Sequence, residues 1–188
     1  AVECAIGSHH KIDASYLSPH VNLASRLEAA TKQYGVPILI SGETHLLLPH
    51  NVKLLCRIVD RVTVKGSNNP MCLFTYDAPS LLCNHGDVPD DQITSPEALG
   101  MSEFWDAVKP ETSETFRTTW AKAMVNYLGG IKGETANWQA AAIYLERCRD
   151  MRPNDGPTRA IQDAMVSMSG EDGSAPADWP GYRALTDK

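Results

Sequence analysis

From His20 to Tyr34 the apolar residues fall at helical spacing, and on either side of that stretch they do not. Val21, Leu23, Ala24, Leu27, Ala30 and Thr31 mark one helix face. Glu28 and Lys32 form an i,i+4 pair on it. Gly35 is a natural stop, with Pro37 just beyond. Upstream, residues 1–7 are short, apolar and end in Gly, as a buried strand does. Residues 8–19 are polar and turn-like, closing on Ser18-Pro19. Downstream, residues 36–40 (VPILI) predict a second buried strand, and Ser41 caps a short helix halted near Pro49.

Residues 54–65 are rich in β-branched side chains, with Ile58, Val62 and Val64 at alternate positions. A Gly-Ser-Asn-Asn-Pro turn over residues 66–70 and a returning strand over 71–76 complete a hairpin. Strand, helix, strand, short helix and hairpin in that order predict part of an α+β sandwich, not a doubly wound sheet.

At Asp77 the composition changes. Residues 79–100 carry prolines among Asp, Asn, Ser and Gly and are expected to be a linker. The chain then becomes helical over 101–188. Phe116, Trp120, Ala123, Met124 and Tyr127 form one stripe, ended by Gly129-Gly130. Trp138, Ala141, Ala142, Leu145 and Cys148 form a second, and a third helix follows Pro157 over 158–168. Two amphipathic helices joined by a short Gly turn resemble one tetratricopeptide-type unit. Trp120 and Trp138 are expected as core anchors. Trp179 and Tyr182 are expected to fold back, either onto the helices or onto the sheet.

Composition narrows the class. A net charge of −6 gives no basic footprint for nucleic acid or anionic lipid. Five cysteines, an odd number with no C-x-x-C pair, imply free thiols in a reducing compartment and a cytoplasmic location. No apolar run reaches the roughly 20 residues of a membrane span. The chain starts inside an apolar run without Met, which reads as an internal cut in a larger protein whose membrane anchor, if any, lies upstream. Adjacent His9 and His10 would point to opposite faces of a strand, and a solvated turn explains them better than a metal pair.

Residues 6–41 resemble the catalytic domain of class III adenylate and guanylate cyclases. The signature V-N-x-A-S-R stands here as Val21-Asn22-Leu23-Ala24-Ser25-Arg26. Arg61-Val62-Thr63-Val64-Lys65-Gly66 is similar to the family's V-K-G hairpin, and Leu73-Phe74-Thr75-Tyr76 to its closing strand. The resemblance covers residues 1–78, the C-terminal part of such a domain, and implies an incomplete ferredoxin-like fold. More loosely, Asp155-Gly156-Pro157 and Asp178-Trp179-Pro180-Gly181-Tyr182 resemble a helical tail found after some microbial cyclase domains.

The resemblance implies conversion of ATP, less readily GTP, to the 3′,5′-cyclic monophosphate and pyrophosphate. The ribose 3′-oxygen attacks the α-phosphorus, so catalysis is mostly positioning and electrostatics. Asn22 would hold the ribose. Arg26, one turn later on the same helix face, would clamp the α-phosphate with its planar fork. Lys65 would meet the terminal phosphates. Ser15, seven residues before Asn22, falls at the base-reading position; its Thr-like hydroxyl tilts the expectation toward ATP, with Asp13 as the competing position. The family binds two Mg²⁺ or Mn²⁺ ions through two Asp residues on strands upstream of this stretch, absent here. Its sites form between two catalytic domains, so a second cyclase domain is the expected partner. The alternative is a non-catalytic cyclase-like interaction module with a helical scaffold. A third reading, a plain tetratricopeptide-type adaptor, would put the function in residues 79–188.

Overall fold

A computed structural model describes residues 2–8, 11–65, 69–77, 112–130 and 132–185, with the backbone alone for residues 6 and 11–15. The expected linker and the pair His9-His10 lie outside these residues.

The chain opens with a hairpin of β1 (Val2–Ser8) and β2 (Lys11–Leu17). Their antiparallel register runs unbroken from Val2↔Leu17 to Ser8↔Lys11. Residues 11–17 are thus strand where the polar composition suggested a turn. Ile12, Ala14 and Tyr16 alternate with polar residues at period two, and that alternation outweighs the low hydrophobicity. The two strands pair with each other and with no other strand among those described.

Helix α1 (Pro19–Tyr34) carries its signals in the sequence. Ser18 Oγ accepts the amide hydrogen of His20, Pro19 takes the first turn, and Gly35 ends the helix at φ 59°. A non-glycine residue would be strained at that φ. Full burial is confined to the C-terminal half, at Leu27, Ala30 and Tyr34, while Leu23 packs partly against the same core. Val21 is 41% exposed and Ala24 is exposed, although both belong to the expected core stripe.

The main sheet has the order β3-β5-β4-β6. Its strands are β3 (Ile40–Ser41), β4 (Cys56–Val64), β5 (Met71–Tyr76) and β6 (Arg183–Leu185). Short helices α2 (Gly42–Leu47) and α3 (His50–Lys53) link β3 to β4. The expected strand over 36–40 shrinks to Ile40–Ser41. Pro37 has no amide hydrogen to give a ladder, and the carbonyl of Ile38 accepts Thr75 Oγ1 at 3.0 Å instead. Strand β4 shifts register between Ile58 and Asp60. The shift lets Val59 and Asp60, adjacent in sequence, both bury completely.

Three helices follow: α4 (Glu114–Leu128), α5 (Trp138–Met151) and α6 (Gly156–Met168). Ser113, Asn137 and Asp155 cap them. They do not stand apart from the sheet. One buried cluster runs from Leu27 of α1 through Val59, Val62 and Leu73 of the sheet to Trp120, Leu145, Ile161 and Leu185. Trp120 and Trp138 are core anchors, as expected, at 1% exposure each. Trp120 Nε1 donates to the carbonyl of Ile58 on β4 at 2.6 Å. Trp179 folds onto the helices: its Nε1 and that of Trp138 both donate to the carbonyl of Tyr127. Tyr182 reaches the sheet, its ring 6.0 Å from the Arg61 guanidinium. The last strand, β6, runs parallel to β4 in the register Val62↔Arg183, Thr63↔Ala184 and Val64↔Leu185. The architecture is mixed α and β, in keeping with an α+β fold.

Candidate functional site

The four substrate-binding positions implied by the sequence sit on three elements. Asn22 and Arg26 lie one turn apart on the N-terminal half of α1, where Leu23 packs partly against the core and no residue is fully buried. Asn22 is exposed and Arg26 half-buried. Neither side chain has a hydrogen-bond or ion-pair partner among the described residues, so the amide and the guanidinium are available to a ligand. Lys65 is exposed at the residue after β4, also without such a partner. Ser15 is on β2, its backbone opposite Cys4, and its side chain lies outside the described set, as does that of Asp13. No hydrogen bond or ion pair joins these positions to one another among the described residues.

A groove of about 440 Å³ runs along the other flank of α1. Its walls include His20, Leu23, Leu27 and Glu28 from the helix, Ile38 from the segment before β3 and Glu43 from the first turn of α2. Asn22 and Arg26 do not line it: at 100° per residue they project from the opposite side of the helix.

Two charge clusters are built on β4: one joins the sheet to the start of α6, the other joins α1, β4 and β6. In the first, Arg57 of β4 meets two carboxylates. Its Nε donates to Asp77 Oδ2 at 2.7 Å and its Nη2 to Asp155 Oδ1 at 2.8 Å. Its guanidinium also lies 4.8 Å from the Trp120 ring centroid and 5.1 Å from that of Phe116. Burial disfavours the ionised Asp155, but hydrogen bonds from Arg57 and Thr158 outweigh it and hold the carboxyl below the usual range.

In the second cluster, Asp60 accepts Tyr34 Oη at 2.7 Å and Arg183 Nε at 2.6 Å on Oδ2, and the Arg61 amide at 2.7 Å on Oδ1. Arg183 Nη2 also donates to Tyr34 Oη at 3.1 Å. Complete burial raises the Asp60 carboxyl, against the charge of Arg183 and the three donors. Burial and the neighbouring Asp60 push the Tyr34 hydroxyl far up, so it stays a donor at any working pH.

The sequence reading did not single out these clusters. Arg57 and Asp60 sit in a β-rich run where a charge usually faces water. Their partners lie 98 and 123 residues away, at Asp155 and Arg183. The signal available was an Arg and an Asp inside a strand with hydrophobic residues on both faces.

Among the described residues no three His, Cys, Asp or Glu side chains stand close enough to hold a metal ion. The four described cysteines, Cys4, Cys56, Cys72 and Cys148, are free thiols. No described helix is long and apolar enough to cross a membrane.

Comparison with known proteins gives two curated relatives. An adenylate cyclase of Anabaena cylindrica is 36% identical over 76 residues, which is 39% of this chain and 15% of the relative. The terminal-differentiation specific adenylate cyclase of Dictyostelium discoideum is 26% identical over 155 residues, 81% of this chain and 6% of the relative. A match of that length necessarily includes most of α4 and α5 as well as the sheet. The chain spans 15% or less of the length of these curated relatives. No family model and no solved structure matches. Both relatives bear the adenylate cyclase name, and the chain is similar to a part of each.

Proposed function

We propose that this chain supplies the ribose and phosphate grips of a class III nucleotide cyclase acting on ATP in preference to GTP. The observation that carries the reading is the pair Asn22 and Arg26. Both lie on one side of the N-terminal half of α1, and neither is engaged by a described side chain. Asn22 hydrogen-bonds the ribose and holds the 3′-oxygen in line with the α-phosphorus. Arg26 places two parallel N–H donors on the α-phosphate oxygens, where charge grows as pyrophosphate leaves. Lys65 neutralises the terminal phosphates as a point charge. Ser15 reads the base, and its hydroxyl is the reason for favouring ATP.

The described residues do not fit the two Mg²⁺ or Mn²⁺ ions of a complete catalytic domain, since they offer no carboxylate cluster. The steps assigned to this chain are therefore positional, and the metal ligands fall to other parts of the assembly. A second cyclase domain as partner and a cytoplasmic setting follow from the same reading. The purified 188-residue chain should be inactive with either metal; cyclic nucleotide made by it alone would overturn that expectation.

The decisive experiment is Arg26→Ala in the full-length parent protein, assayed with ATP and with GTP. Loss of one transition-state donor costs on the order of 100-fold in turnover, and the fold should persist because Arg26 has no described partner. Normal turnover would remove Arg26 from the site. A parent that makes no cyclic nucleotide and is indifferent to the change would favour the non-catalytic interaction module.

A further inference from the structure

The two elements that carry the proposed grips meet at one side chain from the far end of the chain. Helix α1 bears Asn22 and Arg26 and ends at Tyr34. Strand β4 bears Asp60 and ends one residue before Lys65. Arg183 of β6 donates to Asp60 through Nε at 2.6 Å and to the Tyr34 hydroxyl through Nη2 at 3.1 Å. The Tyr34 hydroxyl itself donates to Asp60 at 2.7 Å, closing a triangle. Beside it, β6 pairs with β4 over Val62–Val64, the three residues that lead directly into Lys65.

We propose that Arg183 is a positioning residue: it locks α1 and the tip of β4 into one geometry and so sets the span between Arg26 and Lys65 across a bound triphosphate. This rests on the reading of Arg26 and Lys65 as phosphate grips. The α-phosphate and the terminal phosphate are joined through two P–O–P bridges, which rotate but limit their separation. Two cations held at a spacing the chain can span grip both ends without further ordering, and drift beyond that span loses one contact. A half-buried guanidinium with planar, directional donors fixes such a spacing better than apolar packing, which tolerates sliding. The core could have been closed by hydrophobic residues at positions 34, 60 and 183. Instead three polar groups are desolvated, and each finds a partner on a different element.

The test uses the full-length parent with three variants. Tyr34→Phe removes both hydrogen bonds that tie α1 to the triangle, from Arg183 and to Asp60, and leaves the Asp60–Arg183 ion pair. Arg183→Lys keeps the charge but not the two-pronged geometry. Lys65→Ala is the reference for loss of the terminal-phosphate contact. Steady-state rates are measured together with hydrogen exchange of the amides of residues 20–26 and 62–65. Tyr34→Phe and Arg183→Lys should each raise KM for the triphosphate about fivefold, the lower end of ordinary coupling between linked positions, with kcat changed less. Combined with Lys65→Ala, either change should add little further, because both act on the same contact. Exchange should rise in both segments together.

If Lys65→Ala raises KM while Tyr34→Phe and Arg183→Lys leave it at the parent value, the positioning role is wrong. If Lys65→Ala itself changes nothing, the assignment of Lys65 falls, and the exchange data alone then judge the lock. Unchanged exchange in both segments, or a rise confined to the neighbourhood of Tyr34, overturns it; a joint rise keeps it.

Discussion

At the scale of single residues, buried charge organises this molecule more than any exposed group does. Arg57 is 6% exposed and bridges two carboxylates, Asp77 and Asp155. Breaking a buried pair by deleting one partner usually costs about 3–5 kcal/mol, and Arg57→Met should fall in that range because Asp77 and Asp155 would lose the cation they share, with Asp155 keeping its hydrogen bonds from Thr158. Midpoints of urea unfolding measure the loss; a change within 0.5 kcal/mol, the usual scatter for surface sites, would show that Arg57 is not the linchpin of the cluster. Acid should act through Asp155. Its folded carboxyl lies below the ordinary 3.8, so the unfolded chain takes up the proton first as pH falls. The stabilisation is therefore complete above that value and is lost as pH drops through the depressed one. Asp60 works the other way: burial raises its carboxyl, so its part weakens as pH rises from 3.8 through the raised value. Asp155→Asn should flatten the acid limb of a stability-against-pH curve and leave the Asp60 part in place. An unchanged limb would mean that other carboxylates set the acid lability.

At the scale of elements, the local signals were read well and the non-local ones were not. Helix α1 announces itself with Ser18-Pro19 at one end and Gly35 at the other, and β5 with an apolar run after a turn. These depend on neighbours within a few residues. Strand β6 depends on β4, about 120 residues away, and its three residues, Arg-Ala-Leu, have no β character of their own. The register shift in β4 is equally hidden, because Asp60 turns inward only to meet Tyr34 and Arg183. The contact between α1 and α6 is another case. An added Cβ on Gly156 would stand 2.2 Å from the carbonyl oxygen of Tyr34 and 2.8 Å from that of Gly35. Both obstacles are backbone, which cannot rotate away as a side chain would. Gly156→Ala should therefore push α6 off α1 and cost about 1–3 kcal/mol, the usual range for overpacking. Calorimetry reads this directly. An unchanged melting temperature would mean that the two helix ends separate freely.

At the scale of the whole molecule, the sequence suggested a sheet-bearing part and a helical tail, while the core is shared between them. Asn22, Arg26 and Lys65, the proposed grips, could be named from the sequence because a linear motif carries them. What holds their supporting elements together was not, since the helices supply it through side chains whose partners are far along the chain. A fragment ending at residue 77 would keep β3, β4 and β5 but lose Trp120 against Ile58, Asp155 against Arg57, and Arg183 against Asp60. Asp60 would then be either a buried, unpaired carboxylate or exposed along with Val59 and Val62, and either outcome is unfavourable. The fragment should lack a cooperative transition, visible as collapsed amide dispersion in NMR spectra. In the intact chain all four tryptophans lie beyond residue 100, so their fluorescence reports the helical side and, through Trp120, its contact with β4. Far-UV circular dichroism reports sheet and helices together. If the halves form one cooperative unit, the urea curves from the two probes should coincide. Fluorescence that melts first, with a folded sheet persisting at higher urea, would show instead that the helices are a removable cover. The buried contacts of Arg57 and Arg183 would then contribute little to holding the sheet.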